Sequence, residues 1–443
     1  MQRQKPFIEK FHANNLLTVP KIVMSFAITL ALTLVPMQLL CAQTYSVIHN
    51  FTGGNDGAQP VAGLTIDGAG NLYGTTLMGG SGFGVIYELK LRNGSYTANP
   101  LYLFPGGADG ANPYDRVVFG PDGVLYGTAY AGGNDNNGVV FKLQPRPSAC
   151  ATVSCSWRET VLFAFPANGS GGTGPNLGDV VFDAAGDMYG TTLVGGADGD
   201  GVVWELTPPG TWGTEIVLDS FTNAGGNSEG HYPDDGVILD SSGNLFGATS
   251  RGGASNDGLV YELVKASNFR ETVLYDFAGG GNGSFPDGGL VFDASGNLYG
   301  TTAGAGSGGG GTVFELSPPG VWNVISTLYS FSGGGSCARE PGPGSQASLT
   351  IDGAGSLYGT TCADGAHRFG NVFKLSPSGD GWSYTDLYDF AGGSDGSYPY
   401  SKPICDASGN LYGTAYAGGT DGNGVAWKIS GAGCLLTESL YRP

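Results

Sequence analysis

The stretch Gly289–Thr302, GLVFDASGNLYGTT, decides how this chain is to be read. Leu290-Val291-Phe292 is short, apolar and β-branched or aromatic, Asp293 to Asn297 supplies turn chemistry, and Leu298 to Thr302 returns as a second strand. It is a β-hairpin. The glycine after its aromatic residue recurs at Gly74, Gly127, Gly190, Gly247, Gly300, Gly359 and Gly413, with gaps of 53, 63, 57, 53, 59 and 54 residues. A period of that size marks a repeat architecture of seven units.

The turn glycine occurs in all seven (Gly70, Gly123, Gly186, Gly243, Gly296, Gly355 and Gly409), as a left-handed turn position requires. The turn aspartate occurs in six, Gly120 being the exception. An Asx cap on the turn amides explains it without catalysis.

A third strand carries an aromatic in every unit: Tyr87, Phe141, Trp204, Tyr261, Phe314, Phe373 and Trp427. Such a ring hides about 150 to 250 Å², a gross gain of about 4 to 6 kcal/mol, so these rings are assigned to the core. The next residue is charged but of either sign, from Glu88 to Lys428, which suggests a solvated position. A fourth strand ends in phenylalanine at Phe51, Phe104, Phe165, Phe221, Phe277, Phe331 and Phe390. The first of these, in YSVIHNF, precedes any complete unit. Such an offset predicts an all-β, seven-bladed β-propeller of four-stranded antiparallel blades, its ring closed by the N-terminal strand. The tail Leu435 to Tyr441 partly matches the fourth strand and is the other candidate for closure, and an open solenoid is the competing architecture.

The segments DGAGNLYGTTLMGG (Asp67 to Gly80) and DASGNLYGTAYAGG (Asp406 to Gly419), each followed by a GVxxxL-like strand, resemble the glycine-rich GloVer or HAF tandem repeat of exported bacterial proteins. The likeness covers nearly all of the chain after residue 42. More distantly the D-x-x-G-N-L-Y core is similar to NHL-type propeller repeats. What the resemblance implies is a propeller; it brings no catalytic residues or substrate.

Composition narrows the function classes. Residues 1–42 read as a signal peptide: Arg3, Lys5, Lys10 and Lys21 precede an apolar run from Ile22 to Val35, and Ala42 offers a cleavage site. An uncleaved anchor is the alternative. Without them, 15 Lys+Arg face 37 Asp+Glu, a net charge near −22. Nucleic acid and anionic membrane surfaces are therefore excluded as partners. The domain assignment is 1–42 signal, 43–443 propeller, in a secreted, periplasmic or cell-surface monomer.

Two sets of glycine-rich loops fall on one face in such a fold, and their aspartates Asp56, Asp109, Asp135, Asp198, Asp200, Asp257, Asp395 and Asp421 are the candidate ligand-binding residues. No cofactor is expected. Asp-Gly-Asp spacing at Asp198 and Asp200 allows Ca²⁺ as a structural ion, yet no glutamate follows at EF-hand spacing and turn chemistry is preferred. His49, His231 and His367 lie in different units without metal or triad spacing, so no catalytic residue is assigned. Six cysteines remain after residue 42, and neighbouring pairs suggest disulfides Cys150 to Cys155, Cys337 to Cys362 and Cys405 to Cys434. The reading that results is a binding or surface-interaction module for a glycan or protein, acting through the loop face. The alternative is a carbohydrate- or lactone-active propeller enzyme with carboxylates at the channel mouth.

Overall fold

A computed structural model describes residues 43–146, 157–167, 171–176, 178–208, 212–222, 229–318, 324–332, 348–379 and 381–435. Residues 43–443 form one compact unit. Seven four-stranded antiparallel sheets follow the repeat, each with its strands in chain order except the last.

The hairpin phrase folds as read, with the first strand trimmed to two residues: Val291–Phe292 pairs with Leu298–Thr302, and the latter with Thr312–Leu316. Asp293 caps the turn, its Oδ1 accepting from the amides of Ser295 and Asn297 at 2.8 and 2.9 Å. Its Oδ2 accepts from Asn297 Nδ2 and the Tyr299 hydroxyl at 2.7 and 3.2 Å. In the unit where Gly120 replaces the aspartate, Asp122 does similar work: Oδ1 accepts from Val124 N at 3.1 Å and Oδ2 from Tyr126 OH at 2.9 Å. The carboxylate has moved two residues along the turn and kept its tyrosine.

The second strand is wholly buried in every blade, and each third-strand aromatic has no solvent exposure. Those rings pack between neighbouring sheets; Tyr87, for example, shares a cluster with Phe51, Tyr412 and Ala426 from across the closure. The charged residue that follows is not freely solvated as its variable sign suggests. Glu88 is buried and accepts from Asn99 Nδ2 at 3.0 Å, and the other six are only partly exposed.

The ring is closed by Thr44–Asn50, which forms the outer strand of the last blade against Val425–Ser430, in a register running from Thr44 with Ser430 to Asn50 with Val425. The same contacts that join other neighbours recur here. Thr414 Oγ1 donates to Ala62 O at 2.9 Å as Thr75 Oγ1 donates to Asp115 O at 2.8 Å. Cys405 and Cys434 are disulfide-bonded, with Cα atoms 5.7 Å apart. Cys362 is disulfide-bonded too, while Cys150, Cys155, Cys337 and residues 436–441 of the tail lie outside the described residues, as do residues 1–42. No described helix is long and apolar enough to cross a membrane.

Candidate functional site

The two loop sets do share a rim. The loop entering a blade bridges to that blade's own loop between second and third strands at Ala58 with Met78, Ala111 with Ala131, Ser284 with Gly304 and Ser397 with Ala417. In two further blades the bridge lengthens into a small ladder, Gly172–Thr173 with Val194–Gly195 and Gly230–His231 with Arg251–Gly252. Each entering loop is also tied to the preceding blade. Asn112 N donates to Phe83 O, Tyr232 N to Asp200 O, and Gln59 N to Asn423 O, all at 2.8 to 2.9 Å. The donors Asn112, Tyr232 and Gln59 all sit at positive φ, between 54° and 59°. A backbone so bridged gives a rigid rim.

Most of the rim aspartates are bound into this framework. Asp109 accepts from Tyr102 OH at 2.8 Å and Asp395 from Tyr388 OH at 2.9 Å. Asp56 pairs with His49 Nε2 at 3.1 Å and with Thr52 N at 3.0 Å. His49, Tyr102 and Tyr388 stand two residues before the phenylalanine that ends the outer strand, and each aspartate five residues after it. The spacing forms a latch from outer strand to rim loop, a periodic signal present in the sequence and not used there. Asp135 accepts from Ala167 N at 3.1 Å, Asp421 from Thr420 Oγ1 at 3.0 Å, and Asp200 is buried. Asp198 is exposed and Asp257 partly so. These eight stand in five different blades, each entering loop counted with the blade it enters; the structure distributes them around the ring and does not gather them in one pocket. Among the described residues no group of three or more His, Cys, Asp or Glu is arranged for a metal ion.

What the fold does gather is a set the sequence reading did not single out. The residue two places before each two-residue inner strand is Gly63, Arg116, Asp179, Gly236, Gly289, Ser348 and Lys402 in successive units. The inner strands line the channel, so this one repeat position forms a ring. Six of the seven, all but Gly63, border with Asp235 a cavity of about 220 Å³ that is also lined by Val180, Val237 and Leu290. Aligning the seven units at that position would have exposed the charged set.

Arg116 Nε donates to Asp179 Oδ2 at 2.6 Å. Asp235 is held from three sides: Oδ1 accepts from Gly236 N at 2.6 Å, and Oδ2 from Gly289 N at 2.6 Å and Ser348 Oγ at 2.5 Å. Burial still dominates and raises the Asp235 carboxyl to about 6, partly offset by these hydrogen bonds and by Lys402. The neighbouring Asp115 is buried, bonded to Thr128 through Oδ2 and unpartnered at Oδ1, and burial pushes its pKa well up. Lys402 moves the other way, lowered first by burial and then by Arg116. Above the ring, Tyr114 packs edge-on against Tyr130 at 5.3 Å, and at the equivalent places of the last blade Tyr400 packs against Tyr416 at 5.7 Å.

A family model described as the Gloeobacter/Verrucomicrobia repeat matches residues 35–160 and again 153–344. No curated protein matches the sequence. Among solved structures, the extracellular domain of a hybrid two-component system from B. thetaiotaomicron is 12% identical, with 87% of this chain and 39% of that one covered and a TM-score of 0.52. A second B. thetaiotaomicron extracellular domain, described as part of a one-component system, is 11% identical over 86% of this chain and 39% of its own, with a TM-score of 0.50. A gluconolactonase from Xanthomonas campestris is 13% identical over 73% and 88%, with a TM-score of 0.40. The chain thus spans about two fifths of the length of the two B. thetaiotaomicron proteins, and its likeness to them is one of fold.

Proposed function

The chain belongs to the Gloeobacter/Verrucomicrobia repeat family, and from that premise we propose that it is an exported binding module that holds a glycan or protein ligand on its loop face. The observation that carries this reading is the rim itself, bridged at equivalent backbone positions in six blades and tied blade to blade. A surface fixed in advance loses little conformational entropy when a ligand settles on it. Its exposed Asp198 and partly exposed Asp257 offer hydrogen-bond acceptors to such a ligand. The test is retention of the full-length mature chain on glycan and surface-protein arrays, with and without Ca²⁺. Retention that is lost when Asp198, Asp257 and Asp421 are replaced together by alanine supports the reading; no retention on any surface overturns it.

One observation favours the enzymatic alternative, a secreted carbohydrate- or lactone-active propeller: Asp179 and Asp235 border one cavity with Lys402, and Asp235 titrates near 6, within the range useful for proton transfer. Turnover of lactones or glycosides that disappears with Asp235→Asn would favour it over the binding module.

A further inference from the structure

Among the described residues, Lys402 is the partly buried cation of the channel that the ion pair between Arg116 and Asp179 leaves over. Three observations converge on it. Its side chain borders the 220 Å³ cavity together with Arg116, Asp179, Asp235 and Ser348. Among the described residues its ammonium makes no hydrogen bond or ion pair, whereas Arg116 has both Asp179 Oδ2 and the Leu64 carbonyl. And a second cation borders the same cavity: Arg116 stands near enough to lower the lysine's pKa further, after burial itself. A lysine taken from water and set beside another cation holds its proton weakly, and a neutral lysine is a nucleophile toward carbonyl carbon.

We infer that Lys402 is an imine-forming nucleophile for a small aldehyde or ketone admitted to the channel cavity, with Asp235 as its proton carrier. This goes beyond the binding module on the loop face and does not depend on it. The cavity is below the roughly 300–1,000 Å³ typical of sites for drug-sized ligands, which restricts the partner to a small molecule. Its walls divide by chemistry, with Val180, Val237 and Leu290 on the apolar side and the Arg116 guanidinium as a donor for a carbonyl oxygen.

The step balances within these groups. Neutral Nζ adds to the carbonyl carbon, forming a C–N bond as the C=O π pair moves to oxygen. The nitrogen gives one proton to the Asp235 carboxylate, which passes it to the oxygen to make a carbinolamine hydroxyl. The nitrogen lone pair then forms the C=N bond as the C–O bond breaks, and Asp235 carries the second N–H proton to the departing oxygen, which leaves as water. Amine and carbonyl have become imine and water, with no change of oxidation state. Asp235 is suited to the shuttle because the amides of Gly236 and Gly289 and the Ser348 hydroxyl fix both its oxygens.

The test uses the full-length mature protein, propanal and cyanoborohydride, which reduces an imine to a stable secondary amine. Peptide mapping then compares Lys402 with the other five lysines after residue 42: Lys90, Lys142, Lys265, Lys374 and Lys428. The expected result is an adduct at Lys402 formed about tenfold faster near neutral pH than at any of the others, because burial lowers its pKa and leaves more of the amine neutral. Its rate should also reach half-maximum at lower pH than theirs. Ser348→Ala, a mild change that loosens Asp235, should slow labelling at Lys402 alone, and Asp235→Asn should slow it further. Labelling of Lys402 no faster than of Lys90 or Lys428 in the folded wild type overturns the proposal whether or not either variant folds.

Discussion

Gly424 stands to Pro60 as Gly84 stands to Pro113. A Cβ on Gly424 would lie 2.5 Å from Pro60 Cδ, and one on Gly84 2.6 Å from Pro113 Cδ, and both glycines have φ near 95 to 98°. The first pair joins the last blade to the first, and the second joins two consecutive blades. The closing interface is therefore a copy of the ordinary one, though its halves come from opposite ends of the chain.

Gly424→Ala and Gly84→Ala should accordingly destabilise to a similar degree. Each meets a left-handed backbone and a neighbouring proline ring, at a cost of about 1–3 kcal/mol. Thermal or denaturant unfolding checks this; a loss at Gly84 with none at Gly424 would show that closure contributes little.

Removing the Cys405–Cys434 disulfide should cost about 2–4 kcal/mol, since it closes a loop of 29 residues in sequence. Comparing the Cys405→Ala, Cys434→Ala double variant with the wild type by denaturant unfolding measures it. The bond joins the inner strand of the closing blade to the segment after its third strand, so the variant should lose stability at the closure first, visible as faster amide exchange around Val425–Ser430.

Asp395→Ala should cost about 1–3 kcal/mol, because it leaves the Ala391 and Gly393 amides and the Tyr388 hydroxyl without their acceptor. Tyr388→Phe alone should cost less, about 1 kcal/mol. A double-mutant cycle reads the latch directly; strict additivity would mean that the tyrosine and aspartate do not support each other.

Stability should fall as pH rises from about 5 to 8. Burial raises Glu159 and Glu271 to about 8 and Asp219 to about 6, and none has a basic group opposing that shift. A carboxyl with a raised folded pKa binds its proton more tightly in the folded state. Its contribution is complete below the unfolded value of about 4 and is lost as pH climbs through the folded one. Asp183 and Asp406 have lowered values, so their opposite contribution is lost only under more acid conditions. Glu159→Gln with Glu271→Gln should flatten the slope and raise the melting temperature at pH 8 by about 1–4 °C, while changing little at pH 5.

Much of the fold was legible because each repeat states its own hairpin. The Asp293 cap, the left-handed turn glycine and the buried aromatic are local requirements, and a local requirement leaves its residue type in every unit. YSVIHNF standing ahead of the first unit pointed to the N-terminal strand as the closure while the tail Leu435 to Tyr441 stayed its rival, and the pairing of Thr44 with Ser430 decides between them. The solvation of Glu88 was misjudged because sign variation across blades does not tell burial when a partner such as Asn99 is supplied by the next strand. The channel set was hidden for a different reason. Arg116, Asp179, Ser348 and Lys402 occupy one repeat position but differ in chemistry, so no motif marks them, and only the circular arrangement brings residues nearly 290 positions apart to one cavity. The rim aspartates drew attention by their abundance, which reflects the turns and latches they complete.

The outer strand of the last blade has a consequence in time. Thr44 meets Ser430, 386 residues further along the chain, so at about 5–20 residues per second the ribosome needs roughly 20–80 seconds to deliver that partner. Until then Tyr45 to Asn50 is an edge with no mate, and six finished sheets can accumulate behind it. A chaperone or export factor that shields a short β-segment would have its clearest task at this strand, and a rearranged gene that encodes it directly after Ser430 would let the nascent chain seal itself without waiting.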